Sequence, residues 1–507
     1  TEFSTANFNR FFSTPALFNS IYNSIFVSLI TTGITVFLAF VFAYGLTRSC
    51  MPFKGAFKSI AMVPILVPSL LSGLSLVYLF GNQGIAKGLL MGESIYGPIG
   101  IVLGSVFFTF PHALIIIITA LSISDARLYE AADVLRTSRR KVFWTVTLPG
   151  ARYGLISAAF VVFTLTITDF GVPKVIGGQF NMLAVDIYKQ VVGQQNFSMG
   201  AVVSLILMVP AFLAFIVDRY VSKRQVAILS ARAVPYNAKP SRNFDLTMLA
   251  YCGFVSFLLL AVLAMSQYAA LIKFWPYNHS FTLEHYNFDL ADGGGWDSYT
   301  NSIKLALYTA AIGTIVVFVG AYMVEKARGM QQGRALFQFL AMMPMAIPGM
   351  VLGLSYIFFF NNPGNPLNFI YGTMTILVIS TVTHFYTVSH LTAVTALKQM
   401  DREFESVSQS LKQPMVRMFS KVTVPVCLPA ILDIFVNAMT TVSAVVFLYA
   451  PDTTLAAVAA LNMDDAGNLQ AAAAMSMLIF YTNVAVRVIH ALLTRGVSKR
   501  SMAWRQR

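Results

Sequence analysis

Long apolar runs separated by short polar islands extend along the whole chain. Eleven runs of about 18–25 residues fall near 22–46, 58–81, 98–121, 152–175, 199–218, 246–270, 299–323, 336–361, 370–392, 427–449 and 471–493. That is the length a helix needs to cross a hydrocarbon core ~30 Å thick. The pattern therefore predicts an all-α polytopic membrane protein with about eleven transmembrane helices.

The two longest islands resemble each other. The first contains Glu130-Ala131-Ala132-Asp133-Val134-Leu135, a basic turn from Arg136 to Lys141, and then Val146-Thr147-Leu148-Pro149. The second contains Glu405-Ser406-Val407-Ser408-Gln409-Ser410-Leu411-Lys412 and then Val422-Thr423-Val424-Pro425. Asp125, Phe143, Thr147 and Pro149 meet Asp401, Phe419, Thr423 and Pro425 at one offset of 276. The repeat extends beyond the islands. Asn23-Ser24 matches Asn301-Ser302, and Ala61 to Ser75, with Pro64 and Pro68, matches Ala341 to Ser355, with Pro344 and Pro348. Six runs separate the copies. Six is even, so the duplication is parallel, unlike the inverted repeats of many secondary transporters.

The repeat sets the expected organisation: a first half over 1–224, a linker over 225–245 marked by Pro235 and Pro240, and a second half over 246–507. Phe3-Ser4 and Phe8 match Phe281-Thr282 and Tyr286, which follow the run at 246–270. The duplication thus leads us to expect a twelfth run ahead of residue 1, the alternative being a chain of eleven.

Charge orients the chain. The 507 residues are 57% hydrophobic and 11% charged, with a net charge of +14. Of the 35 Lys and Arg, 29 fall in one alternate set of loops and only Arg10, Lys87, Lys174, Lys189 and Lys273 in the other. Excess Lys and Arg mark cytoplasmic loops, so the basic balance points to a bilayer and away from nucleic acid. This sequence should begin outside and end in the cytoplasm, with both islands cytoplasmic. The outer loops are too short for a solute-binding domain, so a dilute solute would need a separate delivering protein.

Chemistry is sparse. Cys50, Cys252 and Cys427 have neither disulfide-framework nor zinc spacing. No Gly-Lys dipeptide occurs, so there is no phosphate loop of the Gly-x-x-x-x-Gly-Lys type. We expect neither catalytic residues nor a metal site. Leu128, Ala131, Ala132 and Leu135 stand at i, i+3, i+4, i+7, one apolar face of a short helix, with Ser124 and Asp125 placed to cap it. That face suits either a groove on a soluble partner or an anionic lipid surface, and its duplication favours a two-fold partner. Pro64, Pro68, Pro344 and Pro348 lie inside runs, where they should kink helices. They either line a route or are ordinary tolerated prolines. Asp169, preceded by Thr168, either lines that route or is a hydrogen-bonded structural carboxylate. Its counterpart is Val445.

The island from Glu130 to Pro149 resembles the EAA loop of permease subunits of binding-protein-dependent ABC importers, and the resemblance spans both halves. It implies two fused halves around a translocation route. Glu130, Ala131, Ala132, Leu135 and Arg136 would sit in a coupling helix docked on a separate ATPase, and Glu405, Ser406, Leu411 and Lys412 would do the same in the second half. Arg136 and Lys412 stand where the family usually has Gly, and the second copy has Ser406, Val407 and Ser408 where Glu-Ala-Ala would fall. The resemblance also implies a pair of ATPase chains carrying ATP and Mg, no cofactor in this chain, a periplasmic solute-binding protein, and placement in a bacterial inner membrane. The segment Thr168 to Phe197 resembles fused permeases for 2-aminoethylphosphonate, with fused ferric-iron permeases the alternative. The rival from another class, an ion-coupled secondary transporter, calls for mid-membrane carboxylates in both halves. A membrane-embedded enzyme would need clustered His, Asp, Glu or Cys.

Overall fold

The computed structural model describes residues 5–122, 126–228, 236–326, 329–398 and 424–502. These run through α1 (Ala6–Ser13), α2 (Pro15–Arg48), α3 (Lys54–Ala61), α4 (Leu70–Phe80), α5 (Pro98–Ser122), α6 (Ala126–Val134), α7 (Arg139–Val142), α8 (Leu148–Thr168), α9 (Gly171–Ile176), α10 (Leu183–Tyr188), α11 (Phe197–Ile228) and α12 (Arg242–Leu271). A small antiparallel hairpin follows, β1 (Ile272–Phe274) with β2 (Asn278–Phe281). The chain continues through α13 (Gly295–Lys326), α14 (Gln331–Met342), α15 (Gly349–Phe360), α16 (Met374–Lys398), α17 (Val424–Thr440), α18 (Ala456–Asp465) and α19 (Leu469–Met502).

Among the described residues, eight helices are long and apolar enough to cross a membrane, and ten if each of two bent pairs counts as one crossing. The expected count of eleven is not reached among the described residues. Predicted runs 58–81 and 336–361 are the bent pairs, turning by 103° and 107°. The run 427–449 is a 17-residue helix that ends at Thr440, and the run 152–175 stops at Thr168.

The bends follow from proline. Pro64 and Pro344 open short 3-10 turns at Val63–Leu66 and Met343–Ala346. Val67 and Ile347 each precede a second proline and take extended backbone, φ −124°, ψ 151° and φ −102°, ψ 114°. A residue before proline is pushed out of the α region by the ring. With the helix broken there, α4 and α15 restart after Pro68 and Pro348 with only 11 and 12 residues. At 1.5 Å per residue neither leg reaches ~30 Å alone.

Contacts divide the chain into two compact units, Thr1–His285 and Tyr286–Arg507. In the first, α2 packs on α5 and α8, and α8 on α11. In the second, α13 packs on α16 and α17, and α18 on α19. The repeat and the packing mark different places: α12 falls after the linker in sequence, yet packs on α2, α3 and α4. Tyr251 Oη–H donates to the Leu38 carbonyl at 2.9 Å, and the Ser75 and Ser266 hydroxyls bond to each other.

Small polar residues let these helices approach closely. On α2, Ser20, Ser24, Ser28, Thr31 and Thr35 are all buried at helical spacing. Thr35 pairs with Thr109 of α5 across 3.3 Å. Large apolar side chains elsewhere on α2, such as Leu29 and Phe37, are exposed, as they are on a helix that faces lipid.

Candidate functional site

The first repeated island folds as α6, α7 and a π-helical turn that leads into α8. The face expected to dock is open. Leu128 is 57% exposed, Val134 83% and Leu135 77%. Glu130 and Ala131 are exposed beside them. The face expected from the sequence differs in one position: Ala132 is buried and belongs to the opposite side of α6. Ser124 and Asp125, the expected caps, lie outside the described residues.

The inner side of α6 rests on a cluster that spacing did not reveal. Tyr129 shares a hydrogen bond with Thr147 at 2.9 Å. The Arg48 guanidinium donates to the Leu121 carbonyl at 2.8 Å and to Tyr129 Oη at 3.3 Å. It also lies 4.6 Å from the ring centre of Tyr236 and 5.3 Å from that of Tyr129, cation–π contacts with two rings whose centres are themselves 4.5 Å apart. The stretch from Tyr236 to Ser241, part of the expected linker, crosses α6. Lys239 forms an ion pair with Asp133, whose carboxylate holds the ammonium above its ordinary pKa. Arg139 reaches Ser241 Oγ at 3.3 Å. A linker carries no hydrophobic period, so only its isolated Tyr236 and Lys239 could have signalled this contact.

The end of α6 accounts for the residue that departs from the family pattern. The Thr137 N–H donates to the Ala132 carbonyl and the Arg136 N–H to that of Asp133. This is a Schellman ending, whose C′ residue takes the left-handed conformation and is usually Gly. Arg136 occupies it with φ +50°. The geometry that Gly ordinarily supplies is thus kept by a residue with a Cβ.

The bends and Asp169 belong to one arrangement. Asp169 follows the last turn of α8, which Thr168 closes by donating to the Thr164 carbonyl. Its carboxylate accepts from the Val172 N–H at 3.0 Å, capping the start of α9, and is also bonded to Ser69 at the bend. Gly171 lies against Ser69 and Leu70 so closely that a Cβ there would overlap the Ser69 hydroxyl. The second half keeps the close approach with the glycine on the other partner, since Gly349, the counterpart of Ser69, lies against Ser443 and Ala444. Pro64, Pro68 and Pro348 are buried and Pro344 is half-buried.

A further matched pair does equivalent work in both halves. The Asn23 amide donates to the Asn181 carbonyl, and Ser24 Oγ accepts from the Leu183 N–H at the start of α10. The Asn301 amide donates to the carbonyls of Asp452 and Thr454, and Ser302 Oγ accepts from the Ala456 N–H at the start of α18. Glu405, Ser406, Leu411 and Lys412 lie outside the described residues. Among the described residues, no three His, Cys, Asp or Glu cluster as a metal site.

Comparison with known proteins fits this layout. Residues 36–226 match the family model described as binding-protein-dependent transport system inner membrane component. The ferric transport system permease protein FbpB of Actinobacillus pleuropneumoniae is 28% identical over 88% of this chain and 67% of its own length. The putative ferric transport system permease protein FbpB 1 of Haemophilus influenzae is 29% identical over 82% and 68%. The molybdenum transport system permease protein ModB of Azotobacter vinelandii is 31% identical over 29% of this chain and 70% of its own. The chain therefore belongs to the family of binding-protein-dependent transport system inner membrane components and is a multi-pass permease of an ABC importer.

Proposed function

We propose that this permease moves ferric iron inward across a bacterial inner membrane by alternating access, driven by two copies of a separate ATPase that bind ATP and Mg. A periplasmic solute-binding protein delivers the cargo. The observation that carries the coupling role is the open apolar face of α6, with Leu128 and Leu135 bare beside Glu130 and Ala131. An apolar helix face outside the spans, flanked by Arg139, Arg140 and Lys141, suits a groove on a soluble protein. Glu405, Ser406, Leu411 and Lys412 form the second docking segment, and Arg136 closes the first docking helix.

The ferric reading rests on relatives that match more than four-fifths of the chain and are named for ferric transport. The relatives named for molybdenum and sulfate match 35% of it or less. A phosphonate cargo is the second reading, carried by the resemblance of Thr168 to Phe197 to 2-aminoethylphosphonate permeases. A proton- or sodium-coupled carrier is the weakest, because Asp169 is engaged in capping and its counterpart is the buried Val445.

The test is copurification with the ATPase, followed by uptake in proteoliposomes. Leu135→Asp should remove most ATPase retention, because it places a charge on the docking face, while Val192→Asp, an exposed site away from α6, should not. Ferric uptake in the presence of ATP and binding protein supports the iron reading. Uptake of 2-aminoethylphosphonate in its place moves the cargo to the second reading, and ATP-independent accumulation refutes both.

A further inference from the structure

A cavity of about 390 Å³ opens where α2 and α5 end beside α3, lined by Leu46, Arg48, Lys54, Lys58, Ile118 and Tyr236. Three of these are cations and none of the lining residues is acidic. Arg48 is 6% exposed. Its outer nitrogen is engaged by Leu121 and Tyr129, but its Nε–H is buried and has no hydrogen-bond partner among the described residues. A buried donor left unpaired on a charged group is costly, and an anion held beside the guanidinium would offset part of that cost. Lys54 is half-buried and Lys58 exposed. Neither forms an ion pair with a described carboxylate.

The repeat supplies a control within the same chain. A second cavity of about 350 Å³ is lined by Val324, Gln331, Arg334, Ala335 and Gln338. Val324 corresponds to Leu46 at the offset of 278 that relates Asn301 to Asn23, and Arg334 and Gln338 correspond to Lys54 and Lys58 at the offset of 280 that relates Pro344 to Pro64. The same hollow is therefore built twice, but its chemistry differs. Arg334 spends its Nε and one terminal nitrogen on the Val324 carbonyl, at 2.9 and 2.6 Å. Gln338 replaces a lysine and pairs with His390 at 2.9 Å. In the first hollow, by contrast, the Lys54 and Lys58 ammonium groups have no carboxylate partner among the described residues.

We infer that the cavity bounded by Arg48, Lys54 and Lys58 is a binding site for a phosphate group. Guanidinium and ammonium donors in convergence suit a tetrahedral oxyanion. Leu46 and Ile118 leave one wall apolar, which accommodates the carbon side of a phosphate ester. The phosphate comes either from the headgroup of an anionic lipid or from a soluble phosphate. The site is independent of which solute the permease carries.

The experiment follows thermal unfolding of the full chain in a neutral detergent, titrated separately with short-chain phosphatidylglycerol, short-chain phosphatidylcholine and inorganic phosphate. Phosphatidylglycerol should raise the melting temperature at lower concentration than phosphatidylcholine. The variant with Lys54→Gln and Lys58→Gln should need at least about fivefold more ligand for half the effect, a loss of roughly 1 kcal/mol. Arg334→Gln should respond to ligand as the wild type does. Native mass spectrometry of retained lipid gives a second readout should either variant lower the unliganded melting point. A response to phosphatidylglycerol alone assigns the site to lipid, and a comparable response to inorganic phosphate assigns it to a soluble ligand. Equal responses to the two lipids with none to phosphate, or an unchanged half-point in the lysine variant, overturn the inference.

Discussion

At the scale of single residues, Arg136 departs most plainly from what local geometry favours. A left-handed backbone costs a residue with a Cβ roughly 1–2 kcal/mol relative to glycine, part of which glycine returns through its greater freedom in the unfolded chain. Arg136→Gly should therefore strengthen the end of α6 by up to about 1 kcal/mol, read as slower amide exchange at Leu135 and Thr137. Faster exchange would mean that the arginine side chain contributes more than its backbone costs. The departure was legible in the sequence as a missing glycine, but its conformation was not, because nothing in the spelling of Arg136 announces a positive φ. The same limit applied to Arg48. In sequence it is one of many basic residues at a span end, and only its burial against Tyr129 and Tyr236 sets it apart.

At the scale of elements, the prolines were legible as interruptions but not in degree. Two prolines four residues apart predict a weakened helix; the turn beyond 100° also needs the segment after the break to pack elsewhere. Gly171 and Gly349 make that packing possible. Gly171→Ala would set a Cβ against Ser69 Oγ and 2.8 Å from the Leu70 nitrogen. We expect it to destabilise the first unit by about 1–3 kcal/mol, the usual cost of forcing atoms into a filled site. Adding Ser69→Gly should recover only part of the loss, because the backbone contact to Leu70 remains. Full recovery would show that the serine side chain was the only obstacle. The short helices α9, α10 and α18 were invisible to hydrophobic period for a plain reason. Six to ten residues give too few turns for a 3.6-residue repeat to stand out, and their starts are fixed by Asp169, Ser24 and Ser302 from distant or preceding segments.

At the scale of the whole molecule, hydropathy and charge gave the class of architecture, and the repeat gave its internal correspondence. They could not give α12 its place, because a uniformly apolar helix does not say which neighbours it will meet. Global stability should also depend on one carboxylate. Asp186 lies in α10, outside the spans; it is 3% exposed and accepts a hydrogen bond from Ser20. Burial raises its pKa from 3.8 to about 6, against the opposing effects of Ser20 and Lys189. A carboxylate raised on folding favours the folded state most below its unfolded pKa, and that advantage is lost as pH climbs through the folded value. Between about pH 4 and pH 6 the loss comes to roughly 2 kcal/mol at up to 1.36 kcal/mol per unit. Asp186→Asn, which keeps an oxygen for Ser20, should flatten this part of the melting-temperature profile. An unchanged slope would assign the dependence to other groups.

The strand of chain from Tyr236 to Ser241 has a meaning beyond the contacts it makes. It lies on the back of α6 and runs directly into α12, which is anchored on α2, α3 and α4. Were α12 the start of a separate polypeptide, the encounter would depend on how much of each protein the cell makes, and mismatched supply would leave α6 without its backing. Carried on one polypeptide, the two segments meet at a local concentration on the order of millimolar whatever the expression level. Fusion thereby fixes a one-to-one ratio of the two segments and makes the backing of α6 a property of the gene, not of the dosage.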